Sequence, residues 1–119
     1  MGIKRYISVL CVIPQVVFGQ DLSCAGILPD WTLATTQDRA VFELDRVSNL
    51  QIMQDSTALN DTSTRAMTLI APRDTAILVI TQGPCQLQDQ AMTARATLLT
   101  QRGESPIVLS GCCATTDQP

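Results

Sequence analysis

The stretch Met92-Thr93-Ala94-Arg95-Ala96-Thr97-Leu98-Leu99-Thr100 decides the fold class. Met92, Ala94, Ala96 and Leu98 fall on one side and Thr93, Arg95 and Thr97 on the other. That period of two matches a half-buried strand and not the 3.6-residue period of a helix; Leu99 breaks it slightly. Arg102-Gly103-Glu104-Ser105 then supplies turn residues, and Pro106 to Cys112 returns as a last strand, so this part of the chain reads as a hairpin.

Working back from that hairpin, Ala76 to Ile80 is the most apolar stretch outside the leader and reads as a central strand, closed by Gln82-Gly83-Pro84 before Cys85. Arg65 to Ile70 alternates Ala66, Thr68 and Ile70 against Met67 and Leu69, and Pro72-Arg73-Asp74 ends it as a turn. Asp55 to Ser63 is rich in Asp, Asn, Ser and Thr and reads as a loop. Val47 to Met53 alternates more weakly, with Ser48, Leu50 and Ile52 on one face. Trp31 to Thr36 and Ala40 to Leu44, split by Gln37-Asp38, form another hairpin. The expectation is an all-β domain, a small antiparallel barrel or sandwich of about seven short strands. No internal repeat or interdomain linker is visible.

At 119 residues the chain holds at most one ordinary domain, and 45% apolar against 16% charged residues is too hydrophobic for the disordered class. Tyr6, Phe18, Trp31 and Phe42 are its aromatics, so the core is mostly aliphatic. There is no histidine, and the net charge is -3, which opposes imidazole catalysis and a basic nucleic-acid footprint.

Lys4 and Arg5 head an apolar run from Tyr6 to Phe18 that only Ser8, Pro14 and Gln15 interrupt. This predicts a signal peptide over 1–19, cut after Gly19, with Val17 and Gly19 meeting the small-residue demand moderately. The run is too short to span a bilayer, so no stable membrane span is expected after cleavage; the alternative is a chain anchored by an uncleaved leader. Residues 20–113 then form the single β domain and 114–119 a flexible tail. The leader carries two positive charges and no acid, so its removal takes the net charge from -3 to -5 and removes the only lysine. An acidic, lysine-free surface suits a cationic protein or cell-envelope component and disfavours phosphate backbones and anionic lipid.

Cys11 leaves with the leader, and Cys24, Cys85, Cys112 and Cys113 remain as an even set that predicts two disulfides and a periplasmic or secreted setting. On a strand, Cys112 and Cys113 point to opposite faces, which opposes a bond between them. One joins Cys24 and the other Cys85, in either order. Closing loops of roughly 27 and 88 residues contributes about 3 to 5 kcal/mol each in the chain-entropy account. The same divergence opposes a tetrathiolate zinc site, and the chain lacks the C-x-x-C spacing of redox motifs.

Without histidine, neither a Ser-His-Asp triad nor a histidine metal site can be built, and after Lys4 no lysine remains for a Ser-Lys dyad. Glu43 or Glu104 with an aspartate is a formal carboxylate pair for glycoside cleavage. Glu43, however, follows Phe42 in a strand that turns it to solvent, and Glu104 lies in a turn. Asp55, Asn60 and Asp61 lack the order of a calcium loop. No catalytic residue, metal ligand or cofactor is expected. Trp31 is a candidate binding surface as an exposed sugar-stacking platform, against the alternative that the only tryptophan of an aromatic-poor core is buried.

Cys24-x-Gly26-x-x-Pro29-x-Trp31, a lone Cys85 after an apolar strand, and Gly111-Cys112-Cys113 together resemble a group of small uncharacterised bacterial envelope proteins. Asp30 stands where that group has an aromatic, and Gln88-Asp89-Gln90-Ala91-Met92-Thr93 loosely echoes its mid-chain turn. The resemblance implies a Gram-negative periplasmic or outer-envelope setting, a β-rich fold, and no activity to transfer. The domain is also broadly similar to small β-barrels that inhibit lysozymes in the bacterial envelope. Those share a Ser-Gly-x-basic-Tyr segment, whereas Ser110-Gly111 here runs into Cys112-Cys113 and no tyrosine follows Tyr6.

Overall fold

A computed structural model describes residues 21–102 and 105–115; the predicted leader at 1–19, residues 103–104 and residues 116–119 lie outside the described residues. Eight strands follow one another: β1 Leu22–Gly26, β2 Trp31–Thr36, β3 Arg39–Leu44, β4 Arg46–Ala58, β5 Asp61–Ile70, β6 Thr75–Leu87, β7 Gln90–Gln101 and β8 Ile107–Thr115. Each pairs antiparallel with the next, and β8 pairs back onto β1, closing the sheet into a barrel. The fold is the expected all-β, disulfide-stapled one, a barrel rather than a sandwich. The strand missing from the expected set is β1, five residues too short and too cysteine-marked to show an apolar run.

Alternation does the packing. β2 sends Trp31, Leu33 and Thr35 inward, β3 sends Ala40, Phe42 and Leu44, and β7 sends Ala94, Ala96, Leu98 and Thr100. Leu33, Phe42, Leu69, Leu78 and Leu98 are fully shielded from solvent, each burial stabilising the fold by about 1.5 to 3 kcal/mol. The registers accumulate a stagger of about ten residues around the barrel, the tilt that lets an eight-stranded sheet close and fill its interior with side chains.

Trp31 is the largest piece of that filling. Its Nε1 donates to the Ser110 carbonyl at 3.2 Å, and its ring meets Phe42 edge-on at 6.4 Å between centroids. Glycines on the two strands beside it make the room. A Cβ on Gly26 would stand 2.1 Å from Trp31 Nε1, and one on Gly111 would stand 2.0 Å from the Ala25 carbonyl oxygen and 2.9 Å from Trp31 Cζ2. Next to this layer, Cys24 and Cys113 are direct cross-strand partners and form the inner disulfide.

The second disulfide joins Cys85 to Cys112, so the two neighbouring cysteines do take separate partners. Cys85 lies on β6 and Cys112 on β8, with β7 between them, yet their Cα atoms are 5.7 Å apart. A bulge makes this reach. Between the pairs Gln82–Ala94 and Cys85–Met92 the β6 strand carries one extra residue, and Gly83 adopts φ 150°. Gln82-Gly83-Pro84 therefore does not close the strand, as its turn-like composition suggests. Pro84 is tolerated because the ladder is already interrupted there, and β6 runs on to Leu87 with Cys85 swung toward β8.

Two further expectations are corrected. Residues 55–63 are not a loop: they complete β4, turn at Leu59-Asn60 and begin β5, with Ala58 paired to Asp61. Gln54 to Thr57, Asp61 and Thr62 are exposed, so this arm has no buried face to impose alternation and its polar composition carries no strand signal. Ala114 and Thr115, placed in the flexible tail by sequence, belong to β8 and pair with β1.

Candidate binding surface

One end of the barrel, here the lower end, carries the turns between β1 and β2, β3 and β4, β5 and β6, and β7 and β8. Inside it sits a polar plug. Asp74, buried at the β5–β6 turn, receives Arg46 Nη2 at 3.0 Å and the Ser48 hydroxyl at 2.5 Å. Ser48 in turn accepts from Arg102 Nη2 at 2.7 Å, and Arg102 also donates to the carbonyls of Leu44 and Arg46. The Arg102 guanidinium lies 4.8 Å from the centre of the Phe42 ring, and its Nε is buried with no hydrogen-bond partner. Burial pushes the Asp74 carboxyl up. Hydrogen bonds from Ser48 and Arg46 and the charges of Arg46 and Arg102 outweigh it and hold the group below the usual carboxylate range. Apart from Arg102 Nε, these polar groups bond to one another and to the barrel's own carbonyls, so this cluster is structural.

Outside the plug the same turns shape a cleft of about 240 Å³ lined by Asp30, Trp31, Thr32 and the run Glu43 to Val47. β2 and β3 set Thr32 opposite Glu43, and β3 and β4 set Glu43 opposite Val47, so these three share the outer face. Asp45 holds φ 67° in the β3–β4 turn, a conformation that Asp tolerates better than most residues. The cleft therefore gathers the carboxylates of Asp30, Glu43 and Asp45, against one guanidinium, Arg46, that is already paired with Asp74. Val47 contributes an apolar wall that is 55% exposed, and the neighbouring β1–β2 turn lifts Leu28, 92% exposed, into solvent.

Trp31 is only 2% exposed. It borders the cleft from within the core and does not offer the stacking platform considered from sequence. Glu43 does face solvent, beside Asp30 and Asp45, whereas Glu104 lies outside the described residues. Among the described residues no group of three or more His, Cys, Asp or Glu side chains is placed to hold a metal ion. Asp55 pairs with Arg65 at 2.7 Å, and Asp61 accepts from Ser63 and Thr64, so both carboxylates have protein partners. Sequence reasoning missed the cleft because Asp30 comes from the β1–β2 turn, whereas Glu43 comes from the end of β3 and Asp45 from the turn after it. The signal available was an acid in each turn of neighbouring hairpins, which has meaning only once their order in the barrel is known. No helix of the described residues is long and apolar enough to cross a membrane, and the two disulfides suit an oxidising, extracytoplasmic environment. Compared with known protein families, curated proteins and solved structures, the chain matches none.

Proposed function

We propose that this chain is a non-catalytic binding protein, secreted or periplasmic in a bacterial envelope, that recognises a cationic protein through the acidic cleft of Asp30, Glu43 and Asp45. The cleft carries the reading. It is concave, it combines acids with the exposed Val47, and its one cation is engaged elsewhere. Charge complementarity of this kind steers a basic partner and fixes its orientation. A partner such as a lysozyme fits this chemistry, and the chain would then act as an inhibitor-like module whose contact surface is the β1–β2 and β3–β4 turns. A structural role in the envelope is the second reading. It is favoured by an uncharged row, Thr68, Ile77, Leu99 and Val108, on neighbouring strands of the outer face.

Titration calorimetry against a basic lysozyme, with an acidic protein of similar size as control, tests the proposal. Binding weakens at least about tenfold in the triple variant Asp30→Asn, Glu43→Gln, Asp45→Asn and falls with added salt. Binding that is indifferent to both changes, or no binding of the basic protein, removes the cationic-partner reading and leaves the structural one.

A further inference from the structure

The upper end of the barrel holds a recess of different chemistry. Strands β5 to β8 and the first residue of β1 surround a cavity of about 420 Å³, within the size range of small-molecule sites. Its floor is apolar: Leu22, Ile80, Ala94 and the Cys113 half of the inner disulfide, all buried. Its rim is polar and neutral. Gln82 and Thr62 stand there exposed, one on β6 and the other on β5. The one charged side chain in the lining, Arg65, donates through Nε and Nη2 to both carboxylate oxygens of Asp55 at 3.2 and 2.7 Å. That forked pair occupies the Nε–Nη2 edge of the guanidinium and offsets its charge with that of Asp55. The two long hairpins, β4–β5 and β6–β7, rise beyond the rest of the barrel on this side and give the mouth its walls.

We propose that this mouth binds an uncharged amphipathic small molecule. Its apolar end lies on the floor of Leu22, Ile80 and Ala94, and its hydroxyl or amide end meets Gln82 and Thr62. An apolar floor gains from excluding water, and a neutral rim satisfies one or two polar groups without having to desolvate a charge. A carboxylate in the same place would meet an arginine already offset by Asp55 and would be repelled by the Asp55 charge. The site is separate from the acidic cleft and stands whether or not that cleft binds a cationic protein.

The probe is 1-decanol, titrated into the purified oxidised protein and followed by backbone amide NMR shifts. Saturable shifts are expected at Leu22, Ile80, Gln82, Ala94 and Ala114, with decanoate at pH 7 binding at least about tenfold more weakly. Gln82→Trp, an exposed rim position, blocks the entrance and abolishes the decanol shifts; if its amide spectrum shows misfolding, Thr62→Trp at the same rim replaces it. Asp55→Asn releases the Arg65 guanidinium and narrows or reverses the preference for decanol over decanoate. The proposal is overturned by the absence of saturable shifts, by equal or tighter binding of decanoate to the parent protein, or by shifts centred on the outer-face row Ile77, Leu99 and Val108.

Discussion

The two ends of this barrel solve the same problem in opposite ways. The lower end is shut by charge: Asp74, Ser48, Arg46 and Arg102 interlock across the lumen, with Phe42 beneath the guanidinium. Among the described residues the upper end is open over an apolar floor, and its walls are hairpin arms with solvent on both sides. Next to the plug, Trp31 occupies the space ceded by Gly26 and Gly111. The disulfides hold the floor of the upper mouth and the base of the β6–β7 arm, so tolerance to change is greatest at the tips of the upper arms, an unevenness usual in folded domains.

The largest blow to that contrast is removal of the inner disulfide. Cys24→Ala with Cys113→Ala opens a loop of sequence separation 89 and is expected to cost about 4 to 5 kcal/mol in urea unfolding. Cys85→Ala with Cys112→Ala, separation 27, is expected to cost about 3 kcal/mol. Its main effect should be on the β6–β7 arm, seen as faster amide exchange between Gln82 and Thr93 while the lower end keeps its protection.

Trp31→Ala empties the lower layer and should destabilise by about 3 to 5 kcal/mol. The same unfolding curves measure it.

Asp74→Asn breaks the plug and is expected to cost about 2 kcal/mol at neutral pH. The pH dependence has a definite sign. The folded carboxyl sits below its ordinary value, so its contribution is complete above about pH 4 to 5 and is lost as pH falls through the folded value. The gap between parent and variant should close on acidification; a gap that widens would mean the plug does not hold an ionised Asp74.

At the other extreme, Leu59 at the tip of the β4–β5 arm is wholly exposed. Leu59→Ser should change stability by less than about 0.5 kcal/mol. A loss comparable to that of Asp74→Asn would show that the upper arms bear load and would undo the comparison.

The same division governs what the sequence discloses. Where a strand buries one face, as in Ala94, Ala96 and Leu98 against Arg95 and Thr97, the period of two reveals both the strand and its inward side. Where both faces meet water, as over 55–63, nothing enforces alternation and a paired hairpin has the composition of a loop. Gly83-Pro84 has the composition of a turn because a bulge and a turn ask for the same residues. The divergence of adjacent cysteines on a strand opposes a Cys112–Cys113 bond, but which of them meets Cys24 depends on the β1–β8 register, a long-range property. Gly26, Trp31 and Gly111 stand out in the sequence as a motif, and their reason is packing. The acidic cleft joins residues 30–32 to residues 43–47 through the order of two hairpins, and the upper mouth joins five strands, so neither leaves a periodic pattern.

On the proposed reading, the lower, acidic end is the surface that a cationic partner meets. Titrating the isotopically labelled, oxidised protein with a basic lysozyme while following its backbone amides tests this directly. Salt-sensitive shifts at Asp30, Thr32, Glu43, Asp45 and Val47, with Gln82 and Ala94 at the upper mouth unmoved, are the predicted result. Shifts centred on the upper mouth or on the Ile77–Leu99–Val108 row, or none at all, would contradict it.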